Sequence, residues 1–296
     1  MGCKQCPRNC NKERREDEVP SFGYCRVSVR PKVARAALHF WEEPCISGEE
    51  GSGTVFFSGC NLGCVYCQNR EIAAGERGKD ISIERLSEIF LELQEKGANN
   101  INLVTPSHYY AQIRKALLLV KEQLQIPVIA NTSSYDSVEV LRDMEGLIDI
   151  YLADYKYVSG ELAKKYSRAE DYPEVAAEAL KEMFRQVGEP EFDERGIMQK
   201  GMIIRHLLLP GCGEDSKEVL KYLYETFGDS VFISIMNQYT PMDTIKNYPE
   251  LDRRITEEEY NAIVNYAIDM GIENGFVQEG ETAEESFIPS FDGEGV

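Results

Sequence analysis

Phe56-Phe57-Ser58-Gly59-Cys60-Asn61-Leu62-Gly63-Cys64-Val65-Tyr66-Cys67-Gln68-Asn69 is the stretch around which this 296-residue chain is organised. Three cysteines at Cys-x3-Cys-x2-Cys spacing follow an apolar run, beside glycines that let the backbone wrap tightly. Soft thiolates of this kind select iron–sulfur clusters or zinc. Three ligands in one loop, with no fourth close by, leave a tetrahedral site incomplete. In a cubane cluster they leave one iron open to a substrate.

From Gly53 onward, short apolar runs alternate with amphipathic helical patterns, the signature of βα units and a parallel sheet. The spacing predicts strands over Thr54–Phe57, Ile101–Val104, Val128–Ala130, Ile148–Ala153, Met202–Leu208 and Val231–Met236. A short run at Gly275–Gln278 reads as a further strand. Helices are expected over Ser82–Lys96, Ser107–Leu124, Tyr135–Met144, Gly160–Tyr166, Pro173–Val187, Asp215–Phe227 and Thr256–Met270, with a loop over Gly188–Lys200. Six βα units are too few for a closed eight-fold barrel. The fold expected is α/β: a partial (β/α)6 barrel with an open, curved parallel sheet and its site at the C-terminal strand ends.

Residues 1–52 read as a cysteine-rich N-terminal metal-binding segment, 53–278 as the core and 279–296 as an acidic tail that packs over a barrel end or is mobile. Cys3, Cys6, Cys10 and Cys25 give four soft ligands at short-then-long spacing, suited to a small closed metal knuckle. Zinc, a second iron–sulfur cluster and no metal at all remain open there. A charged stretch runs from Lys12 to Glu18, and Arg35–Trp41 reads as a short helix. Cys45 reads as a structural thiol.

The formal net charge of -19 disfavours a nucleic-acid groove, which needs a basic face. No apolar stretch of about 18 residues is present to span a bilayer, and no charged-then-apolar leader opens the chain. A cytoplasmic protein without membrane or nucleic-acid partners is expected. Nine cysteines in a reducing compartment read as metal sites rather than disulfides.

The polar residues gather after strands. Thr105-Pro106-Ser107-His108, Asn131-Thr132-Ser133-Ser134, Asp154-Tyr155-Lys156, Arg205-His206 and Asn237-Gln238-Tyr239 follow or end successive strands and converge on the mouth that holds the cysteine loop. Blander readings stand beside these. Asp154 and Lys156 could form a surface ion pair, and Arg205 could be structural. His206 faces away from Arg205 and reads as a satisfied core residue. His39 reads as packing, His108 as either substrate-facing or a helix N-terminal group, and Cys212 as a loop thiol at the mouth.

On its cysteine motif, with Tyr66 before the third cysteine, the chain resembles radical S-adenosylmethionine (SAM) enzymes. The opening cysteine segment, His39-Phe40-Trp41-Glu42-Glu43-Pro44-Cys45 and Ser234-Ile235-Met236-Asn237-Gln238-Tyr239-Thr240-Pro241 make it similar to the uncharacterised branch related to pyruvate formate-lyase activating enzymes. The resemblance implies that Cys60, Cys64 and Cys67 hold a [4Fe–4S] cluster whose fourth iron is chelated by SAM. It also implies reductive cleavage to a 5′-deoxyadenosyl radical that abstracts hydrogen, driven by a reductant such as flavodoxin or ferredoxin.

Carried over by position, Asp154 and Lys156 resemble an Asp-x-Lys pair around the methionine moiety. Asn131 and Thr132 match an Asp-Thr pair of a monovalent-cation site, with Asn in place of Asp. Arg205 matches an arginine near the methionine carboxylate or ribose, and Asn237 and Gln238 fall at a ribose contact. The family's Gly-Gly-Glu after the second strand is replaced by Thr105-Pro106-Ser107-His108, so Thr105, Ser107 or backbone carbonyls must accept from the methionine amino group. The leading reading is an activase that generates a glycyl radical on a partner protein. Radical modification of a small molecule or of another protein or peptide side chain is the alternative, and a non-catalytic metal-binding scaffold the remote one.

Overall fold

The computed structural model describes residues 2–14, 23–242, 245–277 and 289–296. Its strands are β1 (Lys32–His39), β2 (Ser52–Phe57), β3 (Lys79–Asp80), β4 (Ile101–Val104), β5 (Val128–Thr132), β6 (Ile150–Asp154), β7 (Glu191–Phe192), β8 (Met198–Leu207), β9 (Phe232–Met236) and β10 (Gly275–Val277). They form one sheet in the order β10-β9-β8-β6-β5-β4-β2-β1-β3, with β7 paired to β8 off this path. From β2 to β10 every neighbouring pair along that order is parallel. The sheet is curved by its twist but does not close, so the open partial barrel expected from the sequence is what the chain forms.

Every residue of β2 is buried, as a strand covered on both faces requires. Helices pack on the sheet through apolar stripes. In Ile83–Glu95 the buried set is Leu86, Ile89, Phe90 and Leu93, and Ser82 caps the start by accepting from the Arg85 N–H. Each such side chain, fully buried, contributes about 1.5–3 kcal/mol. Glu257–Asp269 starts with a capping box between Thr256 and Glu259.

Two local expectations fail. Arg35–Trp41 is not a helix: residues 35–39 belong to β1, which runs antiparallel to β2 from Val33 opposite Phe57 to His39 opposite Ser52. The Arg-Ala-Ala-Leu run favours helix locally, but β2 would otherwise present an unpaired edge beside the cysteine loop, and tertiary pairing wins. The stretch from Gly188 to Lys200 is not all loop, since β7 pairs back on the start of β8. Asp193 makes that turn, its Oδ1 accepting from the N–H groups of Arg195 and Ile197.

Residues 289–296 lie along β1, with Gly293 and Ala36 exchanging backbone bonds with Ala34 and Glu294 and with the Phe291 ring edge-on to Phe56. The rest of the expected tail, residues 279–288, the last residue of the expected strand Gly275–Gln278 and part of the charged stretch after Lys12 lie outside the described residues. No helix among the described residues is long and apolar enough to cross a membrane.

Cys45 is buried against Ile129, Ile150 and Leu152 as a packing thiol. His206 is a satisfied core residue. The Tyr155 carbonyl can only accept, so Nδ1 donates to it at 2.8 Å and Nε2 accepts from Ser216 Oγ at 2.9 Å. Burial pushes this ring down to about 4, so it stays neutral in the fold. The unfolded chain binds its proton below about pH 6.5 and the folded chain does not until about pH 4. Stability from this site is therefore full above pH 6.5 and is lost as pH falls through that window. In His206→Gln the slope of unfolding free energy against pH between about 6.5 and 4 should flatten by up to about 1.4 kcal/mol per pH unit. An unchanged slope in urea titrations would contradict this assignment.

Candidate active site

The loop after β2 is held from three sides. Gly59 has φ +87, and a Cβ there would sit 2.6 Å from the Cys25 carbonyl oxygen, so only glycine fits this close approach. The Val65 N–H donates to Tyr166 O at 2.8 Å, which ties the loop to the helix Gly160–Ser167. Behind it, buried His108 donates from Nε2 to Ser58 O at 2.8 Å. Burial, with Arg14 nearby, holds that histidine neutral at about 3. His108 thus braces the loop from behind, and it does not line the cavity in front.

Cys60, Cys64 and Cys67 are half-buried free thiols. The Leu62 N–H donates to Cys60 Sγ at 3.3 Å, and Ser167 Oγ lies 3.0 Å from Cys64 Sγ. Ser167 continues to Tyr157 and then to Tyr66, whose hydroxyls lie 2.6 Å apart, so the aromatic residue before the third cysteine joins the sulfur's hydrogen-bond chain. Burial, with Cys64 beside it, pushes the bare Cys67 thiol up to about 12. Such a thiol ionises only when a soft cation takes up its charge.

All three cysteines line a cavity of about 300 Å³ at the C-terminal ends of the strands. Across it, strand register sets the charged residues. Asp154 closes β6 directly opposite Arg205 on β8. Arg205 donates from Nε to Asp154 Oδ1 at 3.1 Å, from one terminal nitrogen to Glu42 Oε2 at 3.2 Å and from the other to Asn131 Oδ1 at 2.5 Å. Lys156 Nζ donates to the second Asp154 oxygen at 2.6 Å. These four charged side chains are between 11% and 17% exposed, so the surface-ion-pair reading of Asp154 and Lys156 does not hold.

Burial alone would raise the Asp154 carboxyl, but Lys156 and Arg205 outweigh it and hold it below its ordinary value. Burial alone would lower the Lys156 ammonium, and Asp154 holds it above. Two carboxylates and two cations line this wall and offer both signs, while a third carboxyl, Glu43, lies behind Arg205 and is pushed up by burial. Such a wall suits a zwitterion, which needs partners of both signs.

Thr105 lines the same cavity in the left-handed region at φ 61, which is unusual for a β-branched residue and costs about 1–3 kcal/mol. Its N–H donates to Asn131 O at 2.9 Å. Strain of this kind is kept where the surroundings over-determine it, as the walls of a site do. Asn131, Thr132 and Gln238 also face the cavity, and Gln68 donates to the Gln238 carbonyl at 3.0 Å. Ser107 and Asn237 are not in its lining. Ser107 is turned into a buried cluster with Thr132 Oγ1 at 3.2 Å, and Thr132 in turn donates to Asp136 at 2.5 Å. Burial raises Asp136 to about 6.

Glu42 is the residue that sequence reasoning passed over. It binds Arg205, Asn131 and Asn102 at once. Its signals were the carboxylate pair Glu42-Glu43 before Pro44 and its place in the His39–Cys45 stretch that carries the family resemblance. His39, expected only to pack, meets Phe56 edge-on and also lines the cavity, with the 58%-exposed Trp41 at its margin. Cys212 is a half-buried thiol before the helix Gly213–Phe227, pushed up to about 11 by burial, and lies outside the cavity lining.

The chain is 27% identical over 274 residues to an uncharacterized protein of Methanocaldococcus jannaschii, covering 90% of this chain and 74% of that one. Among solved structures it resembles Streptococcus suis SuiB bound to S-adenosylmethionine, with TM-score 0.53 and 15% identity over 76% of this chain and 49% of SuiB. SuiB bound to its precursor peptide SuiA gives TM-score 0.52 and 12% identity over 75% of this chain and 47% of that one. The chain spans about half the length of these solved structures, and the likeness is one of fold. The sequence profile of the radical SAM superfamily matches residues 54–240, from β2 and the cysteine loop through the last strand end that lines the cavity. This chain belongs to the radical SAM superfamily.

Proposed function

We propose that this radical SAM enzyme takes its hydrogen atom from a polypeptide, as an activase that makes a glycyl radical on a partner protein. The observation that carries the reading is the cavity itself: thiols on one wall, a wall of both charge signs opposite, and the exposed Trp41 indole at its margin, an apolar body fit to pack against a peptide segment. The resemblance to activating enzymes favours glycine as the residue attacked.

Superfamily membership implies a [4Fe–4S] cluster and S-adenosylmethionine, and the residues fit both. Three thiols stand in one loop with a donor N–H on Cys60 and a hydroxyl beside Cys64, next to an open cavity. When bound, these cofactors supply the chemistry, one electron to the sulfonium and a carbon-centred radical that removes hydrogen. The protein's own residues bind and orient. Cys60, Cys64 and Cys67 hold the iron. Lys156 and Arg205 attract the methionine carboxylate, while Asp154, Glu42 and the Thr105 region accept from its ammonium. Asn131 and Gln238 offer amide partners to the rest of the ligand, while Thr132, its hydroxyl given to Asp136, only walls the cavity.

The electron comes from a small carrier such as flavodoxin or ferredoxin, in a cytoplasmic setting. A net charge of -19 favours docking through a basic patch on the partner protein. The test uses anaerobically loaded enzyme with a glycyl-radical-enzyme domain whose glycines carry deuterium at the α-carbon. Deuterium should appear in 5′-deoxyadenosine. Steady 5′-deoxyadenosine formation with no deuterium transfer from that protein, but with transfer from a labelled small molecule, would overturn the activase reading.

A further inference from the structure

We infer that Cys3, Cys6, Cys10 and Cys25 hold a second [4Fe–4S] cluster, docked directly on the loop that carries the first. Residues 3–12 form a closed knuckle, in which Cys3 N–H donates to Lys12 O at 2.9 Å and Asn11 N–H returns to Cys3 O at 3.2 Å. Inside it a tight turn, Asn9 N–H to Cys6 O at 3.1 Å, uses Asn9 at φ 41. A matching turn, Arg26 N–H to Gly23 O at 3.1 Å with Arg26 at φ 59, delivers Cys25. Glycine lies between the sulfurs: a Cβ on Gly23 would stand 3.3 Å from Cys10 Sγ and 3.9 Å from Cys25 Sγ. All four cysteines are free thiols, and Cys6 and Cys25 are buried.

The sulfurs accept backbone hydrogen bonds in the same way as those of the first loop. Cys6 is hydrogen-bonded by the backbone of Arg8 and Cys25 by that of Val27, each two residues on. In the first loop Leu62 does this for Cys60 and Asn69 for Cys67. Backbone N–H donors aimed at cysteine sulfur stabilise thiolates and tune iron–sulfur centres. Cys6 feels the charges of Cys25, Cys3 and Cys10, and Cys25 those of Cys3 and Cys10, so the four thiols are neighbours.

The two loops are interlocked. Arg8, between Cys6 and Cys10, donates from Nε to Asn61 O at 2.8 Å and from a terminal nitrogen to Arg168 O at 2.7 Å. Its guanidinium lies 4.0 Å from the Tyr24 ring centre, and the Tyr24 hydroxyl stands 2.8 Å from where a Cβ on Gly63 would be. With the Cys25 carbonyl against Gly59, both glycines of the first loop are shaped by the knuckle. Metal in the knuckle thus fixes the backbone of residues 59–63.

The full chain, reconstituted anaerobically with iron and sulfide, should bind about eight irons, and the Cys60→Ala/Cys64→Ala/Cys67→Ala variant should keep about four with iron–sulfur absorbance. Cys6→Ser/Cys25→Ser should lose the other half, and its remaining iron should be stripped faster by chelator. A wild-type content of about four irons, or about one zinc and no iron in the triple variant, would overturn the assignment. Wild-type stoichiometry decides the matter independently if either variant fails to fold.

Discussion

Cys64→Ala should reduce 5′-deoxyadenosine formation by more than about a hundredfold while leaving the fold in place. The structure separates these two effects. Cys64 is half-buried and its side chain meets one hydroxyl, Ser167 Oγ, so its loss removes one sulfur from a loop held chiefly by backbone bonds. A small truncation of this kind costs on the order of 1 kcal/mol in stability. The chemical loss is larger, because two thiolates remain where a cluster with one open iron needs three. Ser167→Ala is the informative companion. It keeps the ligand but removes its hydroxyl partner, and outer partners of metal ligands typically cost about 10–100-fold. Liquid chromatography of 5′-deoxyadenosine after anaerobic loading ranks the two. Equal activity in Cys64→Ala and wild type would remove these cysteines from the chemistry.

Arg205→Met should be both inactive and unstable. Arg205 is 14% exposed and lies between Glu42 and Asp154, themselves 11% and 17% exposed, with Asn131 as a third partner. Removing the cation strands the buried Glu42 carboxylate and leaves Asp154 with Lys156 alone, and breaking such a pair costs about 3–5 kcal/mol. For a chain of this size that lowers the thermal midpoint by roughly 5–10 °C. Adding Glu42→Gln removes the stranded charge, so the double variant should recover part of the lost stability without recovering SAM cleavage. Arg205→Lys keeps the charge but cannot span three partners, and it should fall between. Thermal scans of the four proteins, with SAM affinity by calorimetry, check this. A thermal midpoint in Arg205→Met equal to wild type would mean that the guanidinium does not balance these carboxylates.

The parts of the molecule legible in the sequence are those governed by short-range pattern. Ile101–Val104 reads the same in sequence and structure because a short, mostly apolar run between turn signals has one way to be buried in a parallel sheet. The cysteine loop is equally local. Asp154, Lys156 and Arg205 could be sent to one mouth because they stand at or after strand ends, but that Asp154 lies opposite Arg205 shows only once β6 and β8 sit side by side. What stayed hidden depends on contacts far apart in the chain. β1 looks helical in isolation and becomes a strand only because β2 lies next to it. The role of Glu42 shows only once β1 brings it to Arg205, 163 residues away. The turn of Ser107 toward Thr132 and Asp136 likewise reflects a preference for buried hydrogen bonds that no spacing rule records.

The sheet begins at β3 and ends at β10 without joining them. A closed cylinder would be entered only along its axis, by a small molecule or by the free end of a polymer. A trough of this form can be approached from the side. A loop in the middle of a folded partner can be laid in and lifted out again, with no threading and no unfolding beyond that loop. Turnover on a large protein would then be paced by how readily the partner releases one internal segment, and mutations that loosen that segment should raise the rate without touching this chain.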